Sequence, residues 1–99
     1  MASYWEKRAK IIRWSRVKRW LELAHAKPTL VETYKKQVEQ GEAFDDADGL
    51  VDFLWVEGIK KKEPHALLVM LWLVTHNRIF RGKLRLTVEA IRRVTPHVG

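Results

Sequence analysis

From about Ser3 to Ala26 the apolar residues recur at helical spacing along two neighbouring lines. Trp5, Ala9, Ile12, Trp20 and Leu23 form one line, and Trp14, Val17, Leu21 and Ala24 the other. Together they predict a first helix with a wide apolar arc built for packing. Lys7, Arg8, Lys18 and Arg19 lie opposite that arc, and Arg13 and Arg16 intrude into it. Pro28 stops this helix, and Thr29 to Glu32 form a capping-box pattern for a second, whose stripe is Leu30, Val31, Tyr34 and Val38 and whose stop is Gly41.

A third helix is predicted from Asp45 or Asp46, where acids in the first turn suit the helix dipole. It buries Leu50, Val51, Phe53 and Leu54 and ends at Gly58, leaving Lys60 to Lys62 as an exposed loop. Pro64 opens a fourth helix that is apolar on every side and therefore belongs at the buried centre, with Asn77 closing it. Residues 78–86 then predict a short basic loop or small hairpin around Gly82. Thr87 caps a last helix with Val88, Ile91 and Val94 inward, and Pro96 stops it. The expected fold is all-α: a small single-domain bundle of about five helices spanning residues 1–99.

Composition removes several alternatives. There is no Cys, hence no disulfide framework and no thiolate metal site or nucleophile. The longest apolar run, residues 66–74, is far short of the about 20 residues that span a bilayer. The basic N-terminus lacks the pattern of a secretory signal, and Glu6 and Glu22 interrupt any resemblance to an organelle leader. A protein without a membrane partner, cytoplasmic or held inside a nucleoprotein particle, is the expectation. Side-chain amides are confined to Gln37, Gln40 and Asn77 while 31% of residues are charged, a bias met in proteins of hot environments.

The net charge of +7 is distributed in blocks. Residues 1–27 hold eight Lys or Arg against two acids, 28–58 two against eight, and 59–99 nine against two. Such blocks either neutralise one another within the fold or meet opposite charge on a partner.

Motifs for catalysis or metal binding are lacking. In the calcium-loop register that puts Gly49 at the sharp turn, Phe44 and Trp55 occupy ligand positions. A two-metal nuclease built on Asp45, Asp46, Asp48 and Asp52 is outweighed by their ordinary use as acids at a helix start. His65 and His76 share a helix side but stand about 16 Å apart along the axis, too far to share a metal. His25 and His97 lie near segment ends as capping or solvent residues. No phosphate-cradling glycine loop, nucleophile elbow or HExxH occurs, so no enzyme, cofactor or metal is expected.

What remains is cationic surface. Lys7, Arg8, Lys10, Arg13, Arg16, Lys18 and Arg19 run along about 18 Å of helix, the scale of several phosphates on one strand. Arg13 and Arg16 stand beside Trp residues, where a guanidinium stacks or meets phosphate. Arg78, Arg81, Lys83 and Arg85, with Arg92 and Arg93, form a second basic segment. The expectation is a DNA- or RNA-binding protein using phosphate contacts with little base readout, as a component of a nucleoprotein assembly. The first alternative is a homo-oligomer or assembly subunit in which acidic Asp45, Asp46, Asp48 and Asp52 pair with basic faces of other chains; five Trp suit an interface. The second is a divergent helix-turn-helix regulator, weakened because the helix after Gly41 carries acids and the one after Gly58 is too apolar to leave the core. Residues 86–96 resemble a leading helix of that motif, but the chain ends before a recognition helix follows.

Overall fold

The computed structural model describes residues 3–94 and is all-α. Its helices are α1 (Tyr4–Leu23), α2 (Pro28–Glu39), α3 (Ala47–Trp55), α4 (Pro64–His76) and α5 (Leu84–Val94). A π-helical turn over Val56–Lys60 extends α3, and a 3-10 segment over Arg78–Lys83 leads into α5. The expected stop at Pro96, the role of His97 and the side chains of Arg93 and Val94 lie outside the described residues.

Local chemistry explains the ends. Ser3 and Glu6 form a capping box, each side chain accepting the other's backbone N–H at 3.2–3.3 Å. At the far end of α1, His25 N–H donates to Glu22 O and Ala26 N–H to Leu21 O, the Schellman pattern, with His25 at φ 59°. The end of α2 repeats this through Gly41 and Glu42, which donate to Val38 O and Gln37 O. There the left-handed position is filled by Gly41 at φ 76°, as its place in the sequence predicts.

The start of α2 differs from expectation. Pro28 takes the first helical position, so Lys27 is the N-cap and Thr29 already lies inside the helix, its carbonyl accepting from the Thr33 hydroxyl. The Lys27 N–H donates instead to His65 Nε2 at 2.9 Å, tying the α1–α2 turn to the first turn of α4. Asp46 caps α3, its carboxylate accepting the Gly49 N–H at 2.7 Å.

Gly58 does not end the third helix. The backbone loosens there to i→i+5 bonding, with Lys61 N–H reaching Val56 O, and Gly58 lies so close to Leu67 that any Cβ would overlap that side chain. The glycine is a close-packing residue between α3 and α4. The hairpin or loop expected near 78–86 is replaced by the 3-10 segment, started by Asn77, whose side chain accepts the Ile79 N–H at 3.0 Å. Helix α5 begins before Thr87, which is fully buried and donates its hydroxyl to Lys83 O at 3.0 Å rather than capping. Val88, expected inward, is exposed, and Ile91 is half-buried.

One apolar core draws on α1 to α4 and on Phe80. Helix α4 supplies Ala66, Leu67, Val69, Met70, Leu73 and Val74, as a helix at the centre should, although Leu68 is exposed and Leu71 and Trp72 only half-buried. Leu50, Val51, Phe53 and Leu54 of α3 are buried as expected. Of the two lines on α1, the one through Val17, Leu21 and Ala24 packs with Trp20, whereas Trp5, Ile12 and Leu23 of the other are exposed. The packed line reads Arg13, Lys10 and Glu6 toward the N-terminus, so the first turns of α1 have no apolar inward side and project from the body.

Tyr34 is the joint of the α1, α2 and α3 packing. It is fully buried, its ring lies 5.9 Å from that of Trp14 and 4.8 Å from that of Phe53, and its hydroxyl donates to Phe44 O. Burial, then the charges of Asp46 and Asp45, hold its pKa far above the ordinary 10.0. The neutral phenol is therefore part of the fold: its contribution is complete below the unfolded value and is lost as pH rises, because the unfolded chain releases this proton first.

Tyr34→Phe, which strands the Phe44 carbonyl, should lower the unfolding free energy by about 1–3 kcal/mol in urea melts at pH 7. It should also lose up to one proton's worth of the alkaline decline above pH about 10, about 1.4 kcal/mol per pH unit. His25→Gly should raise stability by about 1 kcal/mol, since glycine occupies the left-handed cap without the Cβ penalty; an unchanged midpoint would show that His25 carries no such strain.

Candidate nucleic-acid interface

Helix α1 presents the first basic segment on the molecular surface: Lys7, Arg8, Lys10, Arg13, Arg16, Lys18 and Arg19 are all exposed. Their partners divide them. The Arg13 guanidinium is bound to the Asp45 carboxylate, Nε to Oδ1 at 3.1 Å and to Oδ2 at 3.2 Å. Arg16 lies over the Trp20 ring, 5.2 Å from its centre, a cation–π contact with a ring that is itself nearly buried. Arg8 donates to the Tyr4 hydroxyl at 3.3 Å. Among the described residues, Lys7, Lys10, Lys18 and Arg19 have no acidic partner within ion-pair distance.

The second basic segment divides likewise. Lys83 Nζ meets Asp48 Oδ1 at 2.6 Å, and that hydrogen bond and charge, with a smaller contribution from Asp52, raise the Lys83 pKa above its ordinary value. Arg85 approaches Glu89 at 3.7 Å, a loose pair on one face of α5. Arg78, Arg81 and Arg92 have no acid within ion-pair distance among the described residues. Arg81, Arg85 and Arg92 line a shallow concavity of about 600 Å³ with Gly82, Val88 and Glu89.

The two segments are neighbours because Trp20 of α1 meets Phe80 edge to face, ring centres 5.0 Å apart at 87°. Through this ring contact the 3-10 segment carrying Arg78 and Arg81 touches the last turn of α1, while it packs chiefly on α4. From the acidic side, Asp45 holds Arg13 and Asp48 holds Lys83, so the turn before α3 and the first turn of α3 bridge both basic segments. Asp46 spends its carboxylate on the α3 cap. Three of the four acids singled out in the sequence thus have partners inside the chain.

Sequence reasoning missed two elements of this arrangement. The Trp20–Phe80 joint has no local signature, because its residues are far apart in the chain. The role of His65 as acceptor for Lys27 is equally non-local. His76 stacks on Trp72, ring centres 4.5 Å apart, and takes no part in a metal cluster; among the described residues no group of three metal-ligating side chains occurs. No helix among them is long and apolar enough to cross a membrane. No protein-family model matches the chain, and no curated protein or solved structure does so either.

Proposed function

We propose that the protein is a non-enzymatic nucleic-acid-binding component that contacts the phosphate backbone of DNA or RNA with little base readout. The observation that carries this reading is the cationic charge left over after the internal ion pairs are made. Lys7, Lys10, Lys18 and Arg19 on α1 remain exposed without acids, and the Trp20–Phe80 joint adds Arg78 and Arg81 alongside. A protein cation with no internal counter-charge is free to neutralise a phosphate, and the release of counterions condensed on the nucleic acid then supplies sequence-independent affinity. Arg16 over Trp20 adds a surface on which phosphate or a base can be met by a guanidinium already held in place.

The second reading, a subunit of a homo-oligomer or larger assembly, is favoured by a different observation. The first turns of α1 carry exposed Tyr4, Trp5, Ile11 and Ile12, which phosphate contact does not use. Nucleic-acid contact and assembly are compatible uses of one chain.

Fluorescence anisotropy of nuclease-treated protein against duplex DNA, single-stranded DNA and RNA over a salt series tests the first reading. Replacing Lys7, Lys10, Lys18 and Arg19 by Gln should weaken binding to all sequences alike. On duplex DNA it should also flatten the logarithmic salt slope by about 0.9 for each phosphate that the helix ceases to neutralise. Arg13→Gln should instead act mainly on stability, by less than about 1 kcal/mol for so exposed a pair. Binding and slope unchanged by the fourfold replacement would remove α1 from the site.

A further inference from the structure

The α1–α2 hairpin is unequal. At 1.5 Å per residue α1 is about 30 Å long and α2 about 18 Å, so α1 overruns its neighbour by about two turns. Beyond the Trp14–Tyr34 and Arg13–Asp45 contacts it projects past α2, and Tyr4, Trp5, Ile11 and Ile12 are 59–73% exposed. The step between the two helices leaves a groove of about 570 Å³ walled by Ile11, Trp14, Val38, Ala43 and Phe44. Phe44, at 77% exposure, stands at its mouth.

We propose that this arm of one copy docks in the α1–α2 groove of a second copy, with the reciprocal exchange closing a two-fold dimer. The proposal rests on the assembly reading above and not on nucleic-acid contact.

Three observations select a second copy. The first is charge: residues 3–12 carry Lys7, Arg8 and Lys10 against Glu6 alone, whereas residues 39–48 carry five acids and no Lys or Arg. Within the chain Glu6 is used by the cap and Asp45 and Asp48 by ion pairs, but Glu39 and Glu42 have no cation within ion-pair distance among the described residues. The groove is lined by Lys10, Lys35 and the Arg13–Asp45 pair as well as by Glu39, so the acids open to the arm's Lys7 are Glu39 in the groove and Glu42 in the adjoining turn. The second is connectivity. Residues 10–14 already form one wall of the groove within an unbroken helix, so an arm cannot turn back into its own groove and must seek another.

The third is area. At their present exposure Tyr4, Trp5 and Phe44 of two copies would remove about 900 Å² from water, and Ile11 and Ile12 carry the sum past the about 1,000 Å² expected of a specific interface. A lipid surface fits less well. Tyr4 with Ile11 and Trp5 with Ile12 form two ridges about 100° apart around the helix with Arg8 between them. That shape suits a two-walled groove better than a plane.

Analytical ultracentrifugation of the nuclease-treated full chain tests the exchange, with Trp5→Ser/Ile12→Ser as the arm variant and Phe44→Ser as the groove variant. The altered side chains are exposed, so circular dichroism should show both variants folded. The wild-type chain should sediment at twice its 11.7 kDa monomer mass, and each variant should dissociate about tenfold or more readily. Mixing the two variants should recover part of the dimer, because only the mixed pair holds one intact arm and one intact groove. A dimer indifferent to both variants would overturn the arm–groove exchange while leaving assembly through another face. A monomer at every concentration would overturn both. A monomer that floats with anionic vesicles through Trp5 would overturn the exchange and make the arm a lipid anchor.

Discussion

The fold depends on keeping one phenol uncharged and bonded in an apolar setting. Tyr34 touches Trp14 and Phe53 with its ring and holds the Phe44 carbonyl with its hydroxyl, so one side chain sets the spacing of three helices and fixes the loop between two of them. The position of Phe44 then determines that of Gly49, whose bare backbone lies against the Phe44 carbonyl with no room for a Cβ. From there the cap at Asp46 follows, and with it the placement of Asp45 and Asp48. The electrostatic pattern of the surface is thus downstream of a packing decision in the core.

That ordering resolves the alternation of basic, acidic and basic blocks. The acidic block is neither a pure counterweight nor a pure partner surface. Asp45 and Asp48 clip α1 and the 3-10 segment through Arg13 and Lys83, which places two cationic segments on either side of the start of α3. Both pairs are partly exposed and individually weak, so they orient the segments more than they stabilise the chain. The cations they leave over carry the case for a polyanion, and the exposed apolar side chains of the α1 arm and Phe44 carry the case for a second copy.

Much of this was legible in the sequence, for identifiable reasons. Helix periods, the stops at Gly41 and Asn77, the start at Asp46 and the burial of Leu50, Phe53 and Leu54 are local signals, and the structure agrees with them. The misreadings occur where tertiary packing overrides a local rule. Gly58 has the look of a helix stop but lies within a π turn because Leu67 presses on it. Thr87 has the look of a cap but is buried within α5, and residues 78–83 coil because Phe80 is drawn into the core against Trp20. On α1, periodicity gave two candidate stripes, and only the charges at Glu6, Lys10 and Arg13 distinguish the packed half from the projecting half. Which cations are neutralised was invisible, since that depends on pairs such as Arg13–Asp45 that are distant in the chain.

The edge-to-face contact of Trp20 with Phe80 also imposes an order of events on biosynthesis. A ribosome delivers position 20 long before position 80, so α1 can form and pair with α2 while the face that Trp20 needs does not yet exist. Through that interval the nascent chain displays a cationic helix with an unsheltered indole, and the joint that unites its two basic segments is completed only after position 80 has emerged.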